Sequence, residues 1–334
     1  MPVLARLFLA SVLAAVLLLS GAAGAAGAPY LPPKGKVFHG LAGGDSYADW
    51  QRRTRTRPTV WQQWLLWNGG FEHAFQRAES GGTRLMLHLG TSAGQNLPGV
   101  ISPAGIARGD GDRWLLQLAR RIAEHGRPVY LRVMAEMNNC DLPYASHSCS
   151  GRSRGASHSA KAFKRAWRRI HTIVRGGARA DVDRRLRALR LPRVRAGADV
   201  LPQPQVAFVW SPMTGGSPMI RALRPQVFWP GGRFVDWVGT SFYSKFPNFR
   251  WLTPYFKTFA LRYRKPFVLS EWAIWDGDHA GFARRLFDWV HSHRQTRMML
   301  YNQGSAADSV LRLRWYPNAT RVIRQELRSR RFVR

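Results

Sequence analysis

The chain has 334 residues, 45% of them hydrophobic, and a formal net charge of +32. That apolar content excludes global disorder, and the length fits one large domain or two ordinary ones. The charge, mostly arginine, makes a surface that attracts anionic polymers non-specifically, cell-wall polymers included; no zinc-finger or RNA-binding signature accompanies it, so no specific nucleic-acid partner is expected.

Residues 1–28 read as a secretory signal. Arg6 precedes the apolar run LFLASVLAAVLLLSGAAGAAGA, and small residues fill Ala23–Ala28, where cleavage is expected. The alternative is a retained membrane anchor. No later stretch is long and apolar enough to span a bilayer. The mature chain, 29–334, is therefore expected outside the cell, free of the membrane and monomeric.

Strand-like and helix-like segments then alternate. KVFHGLAG (36–43), VWQQWLLW (60–67) and RLMLHLGT (84–91) read as strands. DRWLLQLARRIAEHG (112–126) has apolar residues at helical spacing, with Asp112 as N-cap and Gly126 as the stop. PVYLRVMAEM (128–137) is a strand and SAKAFKRAWRRIHTIVRGG (159–177) a helix. Residues 178–204, rich in Arg and Pro, read as a basic insertion or long loop rather than a domain boundary. QVAFVWSPM (205–213), FVDWVGTSFYS (234–244) and PFVLSEWAIW (266–275) are strands, HAGFARRLFDWVHSHR (279–294) is a helix, and TRMMLYNQG (296–304) is a strand. Such alternation implies a parallel sheet. Eight strands of this kind predict an α/β fold, a single-domain (β/α)8 barrel.

Cys140 and Cys149, in NNCDLPYASHSCS, are expected to form a disulfide that pins a short loop in an oxidising compartment. A zinc site would recruit His147 or His158, but no second pair has ligand spacing. No metal and no cofactor are expected.

Barrel active sites lie at the C-terminal ends of the strands, and two glutamates fall there. In LRVMAEMNN (131–139), alternation would put Arg132, Met134 and Glu136 on one face and Leu131, Val133 and Ala135 on the other. In PFVLSEWAIW, Phe267, Leu269 and Glu271 would point inward together. Paired carboxylates at a barrel mouth are what glycoside hydrolysis needs. The competing role for each is an ion pair, with Arg132 as a candidate partner. Trp210, Trp272, Trp275 and Tyr301 are candidate platforms for sugar rings.

From about 101 to 318 the chain resembles glycoside hydrolase family 26, a family of retaining (β/α)8 glycosidases best known for β-mannanases. The segment ISPAGIARGDGDRWLLQLARRIAEHGRPVYLRVMAEMNN resembles the run into that family's acid/base strand, which ends Arg–x–x–His–Glu–Met–Asn; Arg132, Glu136, Met137 and Asn138 fall on the pattern. VAFVWSPM, with Trp210, resembles strand five. FVDWVGTSFYS resembles strand six, where Asp236 and Trp237 recur and Tyr243 matches a tyrosine that contacts the nucleophile. PFVLSEWAIW resembles the nucleophile strand. The resemblance implies a polysaccharide substrate, Glu136 as acid/base, Glu271 as nucleophile, and Arg132 and Tyr243 orienting the pair. Asn138 and Trp210 would serve the substrate. His39, Trp67 and His88, in the poorly matching first hundred residues, are weaker candidates for the sugar site.

The chain departs from the pattern at Ala135, where the family has His and most of its clan Asn. Ala135 is expected to face the rim of the site, unable to hydrogen-bond a sugar hydroxyl. Two other readings stand beside the hydrolase. One is a barrel that binds a cell-wall or anionic glycan without turnover. The other starts from GGDSYADW (43–50), which resembles the Gly–Asp–Ser block of secreted serine esterases; Ser46 would act with Gly94–Gln95–Asn96 and Asp288–x–x–His291.

Overall fold

The computed structural model describes residues 30–43, 46–94 and 97–334. The signal-like segment and Gly44, Asp45, Gln95 and Asn96 of the esterase-like blocks lie outside the described residues. Two compact units, Met1–Leu31 and Pro32–Arg334, divide the chain, and the second carries the barrel.

Eight parallel strands close in chain order: β1 (Phe38–Ala42), β2 (Val60–Leu65), β3 (Arg84–Leu89), β4 (Val129–Val133), β5 (Val206–Trp210), β6 (Trp237–Tyr243), β7 (Phe267–Ala273) and β8 (Thr296–Asn302), which pairs with β1. The helices are α1 (Tyr47–Thr54), α2 (Glu72–Ser80), α3 (Pro103–Arg108), α4 (Asp112–His125), α5 (Ala160–Arg175), α6 (Arg179–Ala188), α7 (Phe249–Phe256), α8 (Ala280–Ser292) and α9 (Pro317–Glu326). All eight strands expected from the sequence are present. This is a single (β/α)8 barrel.

The apolar stripe of α4 explains its place. Leu115, Leu118, Ala119 and Ile122 are buried in one cluster with the outward-facing Leu131 and Val133 of β4. Gly126, at φ 65°, ends the helix in the left-handed conformation. Asp112 is not the N-cap; that position is Gly111. Asp112 is instead the first helical residue, and its carboxylate clamps Arg169 of α5 (Nε to Oδ1 2.8 Å) and the backbone N–H of Arg195 (2.9 Å). Arg169 also donates to the carbonyls of Pro192 and Arg193 at 2.8 and 3.1 Å. A buried ion pair is tolerable when its remaining hydrogen-bonding capacity is used in this way.

The basic stretch 178–204, expected as an insertion or long loop, is not a plain loop. It contains α6 and a two-residue antiparallel ladder, Gly177–Ala178 with Val200–Leu201. The chain enters it through Gly176, at φ +60°, where a Cβ would lie 1.7 Å from the carbonyl oxygen of Pro202. Only glycine fits there.

Candidate active site

The two glutamates enter the barrel mouth by different devices, and neither is simple alternation. β4 stops at Val133. Beyond it Met134 and Glu136 take φ of 39° and 53°. Such left-handed conformations cost a non-glycine residue about 1–3 kcal/mol each. Neighbouring strands hold them: Met134 N–H donates to Leu89 O at 2.8 Å, and Glu136 N–H to Ser211 O at 2.7 Å. The hydroxyl of Tyr144 donates to the intervening carbonyl of Ala135 at 2.5 Å. Met134 therefore joins the hydrophobic core instead of sharing a face with Arg132.

Glu271 owes its direction to a bulge. Leu269 pairs with Thr240 and Glu271 with the very next residue, Ser241; on the other side Met299 and Tyr301 pair with Leu269 and Trp272. Between Leu269 and Trp272, β7 thus carries one extra residue against both neighbours, after an opposite shift in which Thr296 and Met298 of β8 pair with the adjacent Phe267 and Val268. Before the bulge, Phe267 faces the helices, its ring 5.3 Å from Phe256 and 5.7 Å from Trp289. Phe267 and Leu269, expected to point inward with Glu271, instead join the outer core. Unbroken alternation would have sent Glu271 outward with them. The extra residue turns both Ser270, whose Oγ meets Ser211 Oγ at 2.6 Å, and Glu271 toward the interior.

A ring of donors surrounds Glu271. Oε1 accepts from Arg132 Nη1 and from Gln62 Nε2 (2.7 Å); Oε2 accepts from Tyr243 Oη (2.9 Å) and Asn302 Nδ2 (3.2 Å). His88 Nδ1 lies 3.8 Å from Oε1. Arg132, wholly buried, turns its other nitrogen Nη2 to Ser241 Oγ at 3.0 Å and to Glu136 Oε1 at 3.9 Å. Asn139 Nδ2 lies 3.4 Å from the second oxygen of Glu136. The side chain of Glu136 is 18% exposed and that of Glu271 8%. Glu136 is the one nearer solvent.

These surroundings pull the two acids apart. Burial, and then the charge of Glu271, raise the pKa of Glu136 above the ordinary carboxylate value; Arg132 offsets this only in part. Burial works against ionising Glu271 too, but Arg132 and the hydrogen bonds from Gln62 and Tyr243 outweigh it and hold its pKa low. Burial and Arg132 push His88 down to about 3. His88 is then neutral near pH 7, and its contact with Glu271 is not an ion pair. One acid that keeps its proton beside one that has lost it can give a proton and supply a nucleophile in the same site.

The structure brings Arg132, Glu136, Tyr243, Glu271 and His88 together. Trp275 stands half-buried beside them, its ring 5.7 Å from Tyr243. Four expected substrate contacts lie elsewhere. Trp210 is wholly buried against Trp229 and Phe259, ring centres 4.7 and 4.8 Å away. Trp272 and Tyr301 pack on each other at 4.9 Å, and Trp272 reaches Phe287 of α8. All three are on the outer face of the barrel, where no sugar can reach them. Asn138 is buried and fully engaged. It donates to Met213 O and Leu223 O at 3.1 Å each and to Gly215 O, and it accepts from Met213 N at 2.9 Å. Its role is to tie down the loop after β5. His39 packs outward against Trp50, and Trp67 is buried against Trp114. Ala135 is wholly buried, so it does not line the rim.

Sequence reasoning missed Gln62, Ser241 and Asn302, which hold the glutamates and Arg132. It also missed Trp64, half-buried two residues after Gln62 on the same face of β2 and paired in register with His88. A glutamine in the middle of an apolar strand was a usable signal for the first.

Cys140 and Cys149 are joined, with Cα atoms 5.0 Å apart, so neither sulfur is free to bind zinc. The esterase arrangement does not form either. Ser46 is buried at the C-terminal end of β1, whereas His291 lies near the C-terminus of α8, an antiparallel helix that ends at the opposite pole. His291 Nε2 instead meets Glu326 Oε2 at 3.1 Å.

Fold and site together define a (β/α)8 barrel with two inward glutamates at the C-terminal ends of β4 and β7. Solved structures with this fold include GH26A from Muricauda sp., with 15% identity and a TM-score of 0.60 over 94% of this chain and 97% of that one. They also include the GH26 β-mannanase BoMan26A from Bacteroides ovatus, at 14%, 0.58, 89% and 90%, and the Bacillus subtilis mannanase BCman, at 14%, 0.57, 90% and 88%. At such identities the likeness is one of fold. No family model and no curated protein sequence matches the chain.

Proposed function

We propose that the protein is a retaining glycoside hydrolase acting on a β-linked polysaccharide, with β-mannan as the first glycan to test. The observation that carries this is the single guanidinium of Arg132 between two glutamates whose pKa values shift in opposite directions. The fold shared with family 26 mannanases supports the same reading.

In the first step a Glu271 oxygen attacks the anomeric carbon while protonated Glu136 gives its proton to the departing glycosidic oxygen. This leaves a glycosyl ester on Glu271 and an ionised Glu136. In the second step Glu136 takes a proton from water, the resulting oxygen attacks the anomeric carbon, and Glu271 is released as carboxylate. Retaining chemistry calls for carboxyl groups roughly 5–5.5 Å apart. Arg132, Gln62, Tyr243 and Asn302 hold Glu271 ionised and aimed. Trp64 and Trp275 are the aromatic groups in position to face a sugar ring. No step requires a metal or cofactor.

The disulfide favours an oxidising compartment, and among the described residues no helix is long and apolar enough to cross a membrane. We read the protein as exported and monomeric. The loops entering the strands carry exposed Arg55, Arg57, Arg127, Arg262, Arg264 and Arg294, a face suited to weak association with anionic wall polymers.

The test is a panel of polysaccharides with reducing-end detection. Release of reducing ends from at least one β-linked glycan, with retention at the anomeric carbon, is expected. Binding without release from any member would favour the second reading, a glycan-binding barrel, to which Ala135 in place of the family's histidine lends support.

A further inference from the structure

A cavity of about 480 Å³ opens at the catalytic end of the barrel, between the loop after β5 and helix α7. Pockets that hold small ligands span roughly 300–1,000 Å³. Its walls include Thr214, Met219, Arg221, Arg224, Trp251 and Tyr255. Met219 is 67% exposed and Trp251 41%, so both offer apolar surface to a molecule entering the cavity.

The walls are fixed rather than loose. Asn138, two residues beyond Glu136, binds both ends of the loop, at Met213 O and Leu223 O; Cys140 N–H adds a bond to Ser217 O at 2.9 Å. On the opposite wall the hydroxyl of Tyr255 anchors α7 by donating to Gly239 O at 2.7 Å. Arg221 and Arg224 are exposed, and among the described residues no carboxylate lies within ion-pair range of either. The guanidinium carbon of Arg250 lies 5.4 Å from the centre of the Trp251 ring.

We propose that this cavity is a binding site for an acidic sugar residue, a pyranose bearing a carboxylate. The apolar face of the ring would lie on Trp251 and Met219. Its carboxylate would take the guanidinium groups of Arg221 and Arg224, whose planar donors match carboxylate geometry. A neutral sugar would use the stacking surface and leave the two cations unused. The choice of a saccharide rests on the hydrolase reading; the preference for an acidic one rests on the arginines.

The experiment is calorimetric titration with the β-1,4-linked tetramer of mannuronic acid and with its carboxyl-reduced form, mannotetraose, reducing ends being assayed in the same samples. The wild type should bind the acidic tetramer at least about tenfold more tightly. The R221A/R224A double variant should lose that preference and still bind mannotetraose as the wild type does. W251A should weaken both ligands. R262A/R264A removes the same charge at the other pole and should keep the preference. The proposal is overturned if the wild type shows no preference, if R221A/R224A keeps it, or if R262A/R264A loses it equally, since bulk charge then explains the binding. Absence of new reducing ends with the binding pattern intact counts against the hydrolase reading alone.

Discussion

Arg132 stands between Glu136 and Glu271: Nη1 is hydrogen-bonded to Oε1 of Glu271, and Nη2 lies 3.9 Å from Oε1 of Glu136. The arginine is wholly buried, so water screens little of this interaction. The closer contact is to Glu271, which is why the same cation lowers the pKa of Glu271 but only moderates the rise at Glu136.

Arg132→Met keeps an unbranched side chain of similar length and removes the cation. Breaking one partner out of a buried pair costs about 3–5 kcal/mol. Glu271 would then be raised above its unfolded-state pKa, and the folded state would hold the extra proton. Stability of the variant should fall as pH rises through that value. Melting temperature against pH checks this; a variant as stable as wild type at pH 8 contradicts the proposed coupling.

Wild-type stability should depend on both acids with opposite sign. Glu271, depressed on folding, contributes stability above the ordinary carboxylate range and loses it as pH falls through its lower folded value. Glu136, raised on folding, contributes below the ordinary range and loses that contribution as pH rises through its higher folded value. The corresponding kcat/KM profile is a bell, with Glu271 on the acid limb and Glu136 on the alkaline limb. With an aryl glycoside whose leaving group needs no proton, Glu136→Gln should flatten the alkaline limb. An alkaline limb unchanged in that variant removes Glu136 from the acid/base role.

Glu271→Ala should lower hydrolysis by about 10⁴-fold or more, the usual scale for losing a nucleophile. Ser46→Ala should change it less than about twofold, because Ser46 is buried at the end of β1 and away from His291. An esterase activity lost in the serine variant and kept in the glutamate variant would reverse this order and restore the competing chemistry.

Ala135→His installs the residue found in the family's pattern. The position is wholly buried, and its carbonyl is held by Tyr144. Overpacking of this kind costs typically about 1–3 kcal/mol. The variant should melt lower than wild type and gain nothing on β-mannan. A gain in mannan hydrolysis at unchanged melting temperature would show that the side chain finds room in the site.

The sequence determined the fold class and the chemistry available to it. Eight apolar runs bounded by helical patterns are local signals, and each became a barrel strand. The basic run 178–204 reads as an insertion or long loop, and the helix Arg179–Ala188 within it was not legible. Two glutamates late in apolar strands, with an arginine four residues before one of them, were visible as residue types. What local pattern could not supply was direction. Strands of a parallel barrel are buried on both faces, so their sequences lack the polar alternation that would mark inside from outside. Nothing local therefore separates Trp210, Trp272 and Tyr301, which face the helices, from residues of the cleft. One extra residue in β7 between Leu269 and Trp272 reverses the direction of Glu271, and the left-handed turn after Val133 delivers Glu136. Both are set by backbone bonds to strands distant in sequence: Glu136 to Ser211, and β7 in its register with Thr240 and Met299. Register is a property of pairing between strands, and only the closed barrel decides it.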